Sequence, residues 1–392
     1  MGGIARRQKY GVAIHEPDKA YKGYTYFDAY YEQNRAFLID MEGRVVHYWD
    51  LPGMFADFTE LLPNGHVLAP VRRIWADSPK FPGFCACTIY EVDWDGNIVW
   101  EYSDDFQHHC VKRLDNGNTL VMRVEQCPPD LAAKVQGGMP GTEDEQEKWK
   151  GYMWADNIQE VNKDGEVVWE WTAHEHLDVE TEKICTLEER SEWSHGNNLE
   201  VLPNGDILTT FRCINTCAII DKQTGKIKWK WGADELCHPH NPTPLDNGNV
   251  LIFDNGVHRK DSYADYSRIV EVNPDTNEIV WEYKSTPITE FYSTFCGGAH
   301  RLPNGNTFIC EANKGRLFEV TKEGDIAWEY LSPFYSLNQD VGDDARDFGH
   351  CPWIHRAHRF GLDFSAFKGK DLNPDKYKAI NMIYGTEGFR SV

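Results

Sequence analysis

Residues Glu235–Arg259 read ELCHPHNPTPLDNGNVLIFDNGVHR. The order is a histidine pair (His238, His240), a turn (Leu245-Asp246-Asn247-Gly248-Asn249) and an apolar run (Val250-Leu251-Ile252-Phe253) closed by Asp254-Asn255-Gly256. Asn-Gly between apolar runs predicts a two-strand hairpin, because its turn needs positive φ, which Asn and Gly tolerate. The same order returns with His109 before Asn116-Gly117, His195 before Asn204-Gly205 and His300 before Asn304-Gly305. A further turn, Asn64-Gly65, has Asp57 in place of the histidine.

A second signature follows each hairpin: a turn residue, β-branched residues, then aromatics. Its copies start at Gly43, Gly96, Gly165, Gly225, Asn277 and Gly324, as in Gly165-Glu166-Val167-Val168-Trp169-Glu170-Trp171. Successive starts are 53, 69, 60, 52 and 47 residues apart, the length of a propeller blade with its loops. Aromatic and β-branched residues alternating with Glu and Lys predict a half-buried outer strand, with packing as the role of its Trp residues. The expected fold is therefore all-β: a six-bladed β-propeller of four-stranded blades, one domain over residues 1–392. The blade ending at Trp49 lacks its own Asn-Gly hairpin, and the segment His350–Arg359 can supply the missing inner strand. The ring would then be closed by N- and C-terminal strands in one blade. Two insertions exceed the repeat, at about 127–154 and 174–192, the second expected to hold a short helix over Glu175–Arg190. The residues from about 361 to 392 are expected to form a surface strap.

Composition fits a globular chain, 41% hydrophobic with 13% aromatic residues, and the net charge of −22 argues against a nucleic-acid surface. No apolar run reaches the roughly 18 residues of a membrane span. The basic start, Met1–Lys9, is followed only by Val12-Ala13-Ile14, too short for a signal-peptide core, so the expected location is cytoplasmic, or periplasmic if a signal sequence precedes this chain. Eleven scattered cysteines show no zinc-finger spacing and are expected to be free thiols, although Cys110, Cys237 and Cys351 each adjoin a histidine.

Propeller inner strands converge on a central channel, so equivalent repeat positions face one another. His109 and His240 both stand eight residues before their turn glycine and His195 ten, which places one imidazole per blade at the channel mouth. His300 stands only five before Gly305 and need not join them. His350, His355 or His358 is the candidate from the closing blade. Arg212, at the far end of the hairpin after His195, and Arg72, at the same offset in its own blade, add guanidinium groups. Imidazoles with guanidinium make a basic pocket suited to a tetrahedral oxyanion.

The stretches Trp193-Ser194-His195-Gly196-Asn197-Asn198 with Ile207–Arg212, His240 through Phe253-Asp254-Asn255-Gly256, Phe106-Gln107-His108-His109 and Ile354–Phe360 resemble those of the bacterial aryl-sulfate sulfotransferases, which are six-bladed propellers. The chain resembles a short form without the family's extra N-terminal β-domain. The resemblance implies an enzyme that moves a sulfuryl group from an aryl sulfate donor to a phenolic acceptor through a sulfohistidine, with ping-pong kinetics and no cofactor. It implies His240 as nucleophile, with adjacent His238 as competitor, and His109, His195 and Arg212 holding the sulfuryl oxygens. His300 and His355 would serve as acid or base, and His108, His238, Arg72 and Asn255 would contact substrate. The alternative reading is a metal-dependent lyase or oxygenase in which the central histidines bind a transition metal.

Overall fold

The computed structural model describes residues 10–29, 34–54, 58–73, 87–142, 153–334 and 352–383. Six antiparallel sheets form a six-bladed propeller. In blade 3 the strands run Gln107–Arg113, Thr119–Gln126, Trp154–Val161 and Val167–Thr172, in that order across the sheet. The Asn-Gly turns join the first and second strands as the sequence predicts, with Gly65, Gly117, Gly205, Gly248 and Gly305 all near φ +85 to +88°. A side chain there would force an L-residue into the left-handed region.

The ring closes as the unpaired first blade requires. Ile354–Gly361 pairs antiparallel with Gly23–Ala29, which continues into Arg35–Ile39 and Val45–Asp50. The sequence did not reveal a second stitch: Gly11–His15 adds a fifth strand to blade 6, pairing with Ile326–Leu331. This blade therefore departs from the four-stranded plan, and the chain's beginning covers its outer edge before crossing into blade 1.

The aromatic outer strands pack between blades and also reach across to the next one. The indole Nε1–H of Trp100 donates to the Lys163 carbonyl, Trp169 to Lys222, Trp281 to Lys322 and Trp328 to Met41, each at 2.8–2.9 Å, and Trp229 donates to Asn277 Oδ1 at 2.8 Å. Each acceptor lies in the turn before the next blade's outer strand. Blade 1 has His47 where the others have Trp, and its Nε2 makes the same link to the Trp94 carbonyl at 3.1 Å. Six links therefore run from blade to blade around the rim. Apolar cores fill the wedges they span, such as Leu120, Ile158, Trp171, Ile207 and Phe211 between blades 3 and 4. Each such side chain contributes roughly 1.5–3 kcal/mol by leaving water.

The described part of the strap, to residue 383, lies against blade 1: Tyr377 O–H meets His47 Nδ1, and Asn381 bonds both backbone groups of Val45. Part of the 127–154 insertion, residues 143–152, lies outside the described residues, as do His350, Asp57, Cys85 and Cys351. In the second insertion the helix is one turn, Ala173–His176, and turns follow it, so no helix spans Glu175–Arg190. The two insertions meet: Gly138 N–H donates to the Ile184 carbonyl and Met139 N–H to Glu188. No helix among the described residues is long and apolar enough to cross a membrane.

Candidate active site at one end of the channel

Each inner strand begins at the end of the ring opposite its Asn-Gly turn, and at that end the backbone is strained. Among the described residues, eight of the nine non-glycine residues with positive φ lie at that end: Asn34, His109, His195, Asn215, His238, Asn241, His258 and Cys296. Left-handed backbone at non-glycine residues persists only where the surroundings enforce it, and such positions concentrate at functional sites.

His240 opens the first strand of blade 5 and is almost fully buried. Its Nδ1 lies 2.7 Å from Asn255 Oδ1 and 3.1 Å from the His238 carbonyl. Asn255 cannot be flipped without loss, because its Nδ2 donates at 2.9 Å to the carbonyls of both Ser293 and Cys296. Both neighbours of His240 Nδ1 are thus acceptors, so Nδ1 carries the proton and Nε2 the lone pair. The backbone N–H of Cys296, 3.3 Å from Nε2, fits that tautomer. Burial, reinforced by the Arg212 charge and opposed by the Asn255 bond, pulls the imidazole down to about 3. His355 adds to the same depression and so stands close by, on the closing strand.

Blades 3 and 4 supply a second group. The rings of His109 and His195 meet edge to face at 4.7 Å. His108 Nε2 sits 3.0 Å from Asp156 Oδ1 and 3.1 Å from the Arg123 carbonyl, so it carries a proton, and its Nδ1 meets His109 Nδ1 at 2.7 Å. His195 Nδ1 bonds Glu192 Oε2 at 2.6 Å. The next residue must be glycine: a Cβ on Gly196 would meet Asp156 Oδ1 at 2.9 Å, where its own N–H now bonds that carboxylate. Arg212 anchors its strand end to this loop through its N–H and the His195 carbonyl at 3.0 Å.

The pocket is less basic than the sequence suggested. Arg212 pairs with Glu188 at 2.9 Å, and both Glu188 and Glu192 come from the second insertion. A buried guanidinium needs a counter-charge, and a non-repeating loop provides it where a repeat pattern cannot announce it. His238 likewise belongs to a different set from His240: its ring meets His258 at 4.7 Å, and burial, with Arg212 next, depresses it to about 2.

The remaining predicted residues are placed apart. Arg72 ends the second strand of blade 2, on the same end of the ring as Arg212, with its N–H on the Met54 carbonyl. His300 is turned toward the opposite end, stacked on His358 at 4.8 Å with its Nε2 accepting from Arg359 N–H. There it borders a cavity of about 720 Å³ lined also by turn residues Asn247, Leu302 and Gly305. The offset of five residues has this physical meaning: His300 sits well along its strand, not at its start.

Residues 59–332 match the arylsulfotransferase (ASST) family model. The chain belongs to the arylsulfotransferase family. Membership supports a sulfotransferase function and a small-molecule substrate for this arylsulfotransferase homologue. No curated protein matches it by sequence. Among solved structures, a Bacteroides caccae protein of unknown function is 16% identical with a TM-score of 0.52, covering 86% of this chain and 99% of that one. A catalytically inactive virginiamycin B lyase from Staphylococcus aureus is 13% identical at TM-score 0.46, covering 84% and 90%. At these identities the first likeness is one of fold alone, and the family assignment stands on the sequence match.

The nine described cysteines are free thiols, in agreement with their scatter in the sequence. Sequence reasoning missed Glu188, Glu192, Cys185, Asp156 and His258 as neighbours of the histidines. Only His258 had a visible signal, its place just beyond Asn255-Gly256 in the deciding stretch.

Proposed function

We propose that this arylsulfotransferase homologue transfers a sulfuryl group from an aryl sulfate to a phenol through a sulfohistidine on His240. The single observation that carries the reading is the fixed tautomer of His240, whose Nδ1–H is held by Asn255 and whose neutral Nε2 keeps the lone pair. Neutral imidazole is a competent nucleophile when a neighbour fixes which nitrogen reacts.

In the first half-reaction Nε2 forms a bond to sulfur and the bond from sulfur to the phenolic oxygen breaks. Its electron pair stays on that oxygen, which takes a proton from protonated His109. In the second half-reaction the acceptor phenol returns a proton to His109, its oxygen bonds sulfur, and the N–S bond breaks to restore the Nε2 lone pair. His108, held by Asp156, orients His109. Arg212 and His195 stabilise the equatorial oxygens, as fixed donors do in phosphoryl transfer. The ester's sulfonate competes with Glu188 for Arg212, exchanging one anionic partner for another.

Initial rates with 4-nitrophenyl sulfate at several concentrations of a second phenol test the reading. Parallel double-reciprocal lines are expected, since one phenol must leave before the other enters, and intersecting lines would contradict a covalent intermediate. Arg212→Ala is expected to lower kcat/KM by on the order of 10²-fold.

A further inference from the structure

We infer that Cys185, His238 and His258 form a binding site for one divalent transition-metal ion of the zinc class. One ligand atom from each of the three residues lies within 4.8 Å of the others. Cys185 Sγ and His258 Nδ1 are 3.5 Å apart. Bonds of about 2.3 Å to sulfur and about 2.0 Å to nitrogen at a tetrahedral angle would hold such atoms roughly 3.5 Å apart. A thiol-imidazole hydrogen bond alone accounts for that pair, but it does not account for His238. The His238 side chain is 2% exposed, and its Nε2 is a buried polar atom with no hydrogen-bond partner. An orphaned buried acceptor costs about 1–3 kcal/mol, and a cation removes the cost.

The surroundings fix this geometry. Glu188 Oε1 lies 3.6 Å from His238 Nδ1, too far for a hydrogen bond but near enough for its charge to favour the proton there and leave the lone pair on Nε2. Asn215 Oδ1 holds the His238 N–H at 2.8 Å, and the Cys213 carbonyl holds the Cys185 N–H at 2.7 Å. Both histidines have left-handed backbone, φ 57° and 64°. The three ligands come from separate segments: the second insertion, the entry to blade 5, and the loop after that blade's second strand. A bound ion would therefore fasten the insertion that carries Glu188 and Glu192 to the ring. One thiolate and two imidazoles suit zinc or cobalt and disfavour magnesium or calcium. The fourth position falls to solvent or an anionic oxygen. The inference does not depend on sulfuryl transfer and concerns neither His240 nor His109.

The test uses the full chain stripped with chelator and titrated with Co²⁺, read by the near-ultraviolet sulfur-to-cobalt charge-transfer band, and with Zn²⁺, read by elemental analysis. One ion per chain and the charge-transfer band are expected. Cys185→Ser should lose the band, and His258→Gln should weaken Co²⁺ binding by more than the roughly 100-fold that loss of an outer-sphere partner costs. Cys213→Ser, which alters the adjacent Glu192, His195 and Cys213 group, should keep both. Should a variant fail to fold, alkylation of Cys185 in the unmodified chain decides, and Zn²⁺ is expected to block it. Absence of stoichiometric binding, retention of the ion in both Cys185→Ser and His258→Gln, loss only in Cys213→Ser, or alkylation indifferent to Zn²⁺ would each overturn the site.

Discussion

The outer rim and the mouth of the channel are built from the same repeat but obey different rules. At the rim, six blade-to-blade links use one position of the repeat, five times as Trp and once as His47, and every link ends on the equivalent turn. At the mouth, His109, His195 and His240 each have a different partner, and the backbone is left-handed at His109, His195 and Cys296 and on either side of His240 at His238 and Asn241, where the rim is regular strand. Regularity distributes stability around a closed ring, whereas irregularity concentrates chemistry at one end. Loops without repeat character supply the mouth with Glu188 and Glu192, while all six rim links end on a turn of the repeat itself.

If this division holds, the largest effect falls on rate. His240→Asn keeps a donor near Asn255 Oδ1 and removes Nε2, and should lower turnover of 4-nitrophenyl sulfate by on the order of 10⁴-fold or more, as loss of a nucleophile does. Urea unfolding of the same variant should stay close to that of the parent. His240→Ala is a poorer instrument: His240 is 3% exposed and doubly bonded, so truncation orphans Asn255 Oδ1 at a cost of about 1–3 kcal/mol.

Acid should strain rim and channel together. Burial first of all depresses both His47 and His300 to about 4, with the Lys370 charge assisting at His47 and Arg359 at His300. The unfolded chain takes up these protons near pH 6.5, the folded chain only near 4. Stability is thus fully present above pH 6.5 and declines as pH falls from about 6.5 to 4, by roughly 1.4 kcal/mol per pH unit for each such site. Urea midpoints measured across that window should fall with pH, and a flat profile would mean that both imidazoles accept protons in the folded ring. The smallest effect belongs to a single link. Trp281→Phe keeps a ring beside Arg301, which stacks 4.6 Å above it, and deletes the N–H bonded to Lys322. It should cost about 1 kcal/mol in urea unfolding with unchanged turnover, and a change in turnover would break the division between rim and mouth.

The ring was legible in the sequence because its signals are local and repeated. Asn-Gly turns set the hairpins, the aromatic strands set the blade count, and the unpaired blade at Trp49 required Ile354–Gly361. Gly11–His15 was not legible, since five residues without repeat character become a strand only by finding the free edge of blade 6. At the site, the offsets from the turn glycines brought out His109, His195 and His240 and set His300 apart. Glu188, Glu192 and Cys185 stayed hidden because their loop has no periodicity, and what places them is tertiary pairing, such as Trp193 Nε1–H on the Glu182 carbonyl. Asp156 reads as an ordinary strand residue until His108 and Gly196 are seen to bond it.

Intact-mass measurement of the chain after incubation with phenyl sulfate and no acceptor tests the sulfohistidine most directly. A gain of one sulfuryl group, mapped by fragmentation to His240, absent in His240→Asn and discharged by added phenol, is the predicted result. Transfer that proceeds with no mass gain, or a sulfuryl group mapped to His238 or another residue, would contradict it.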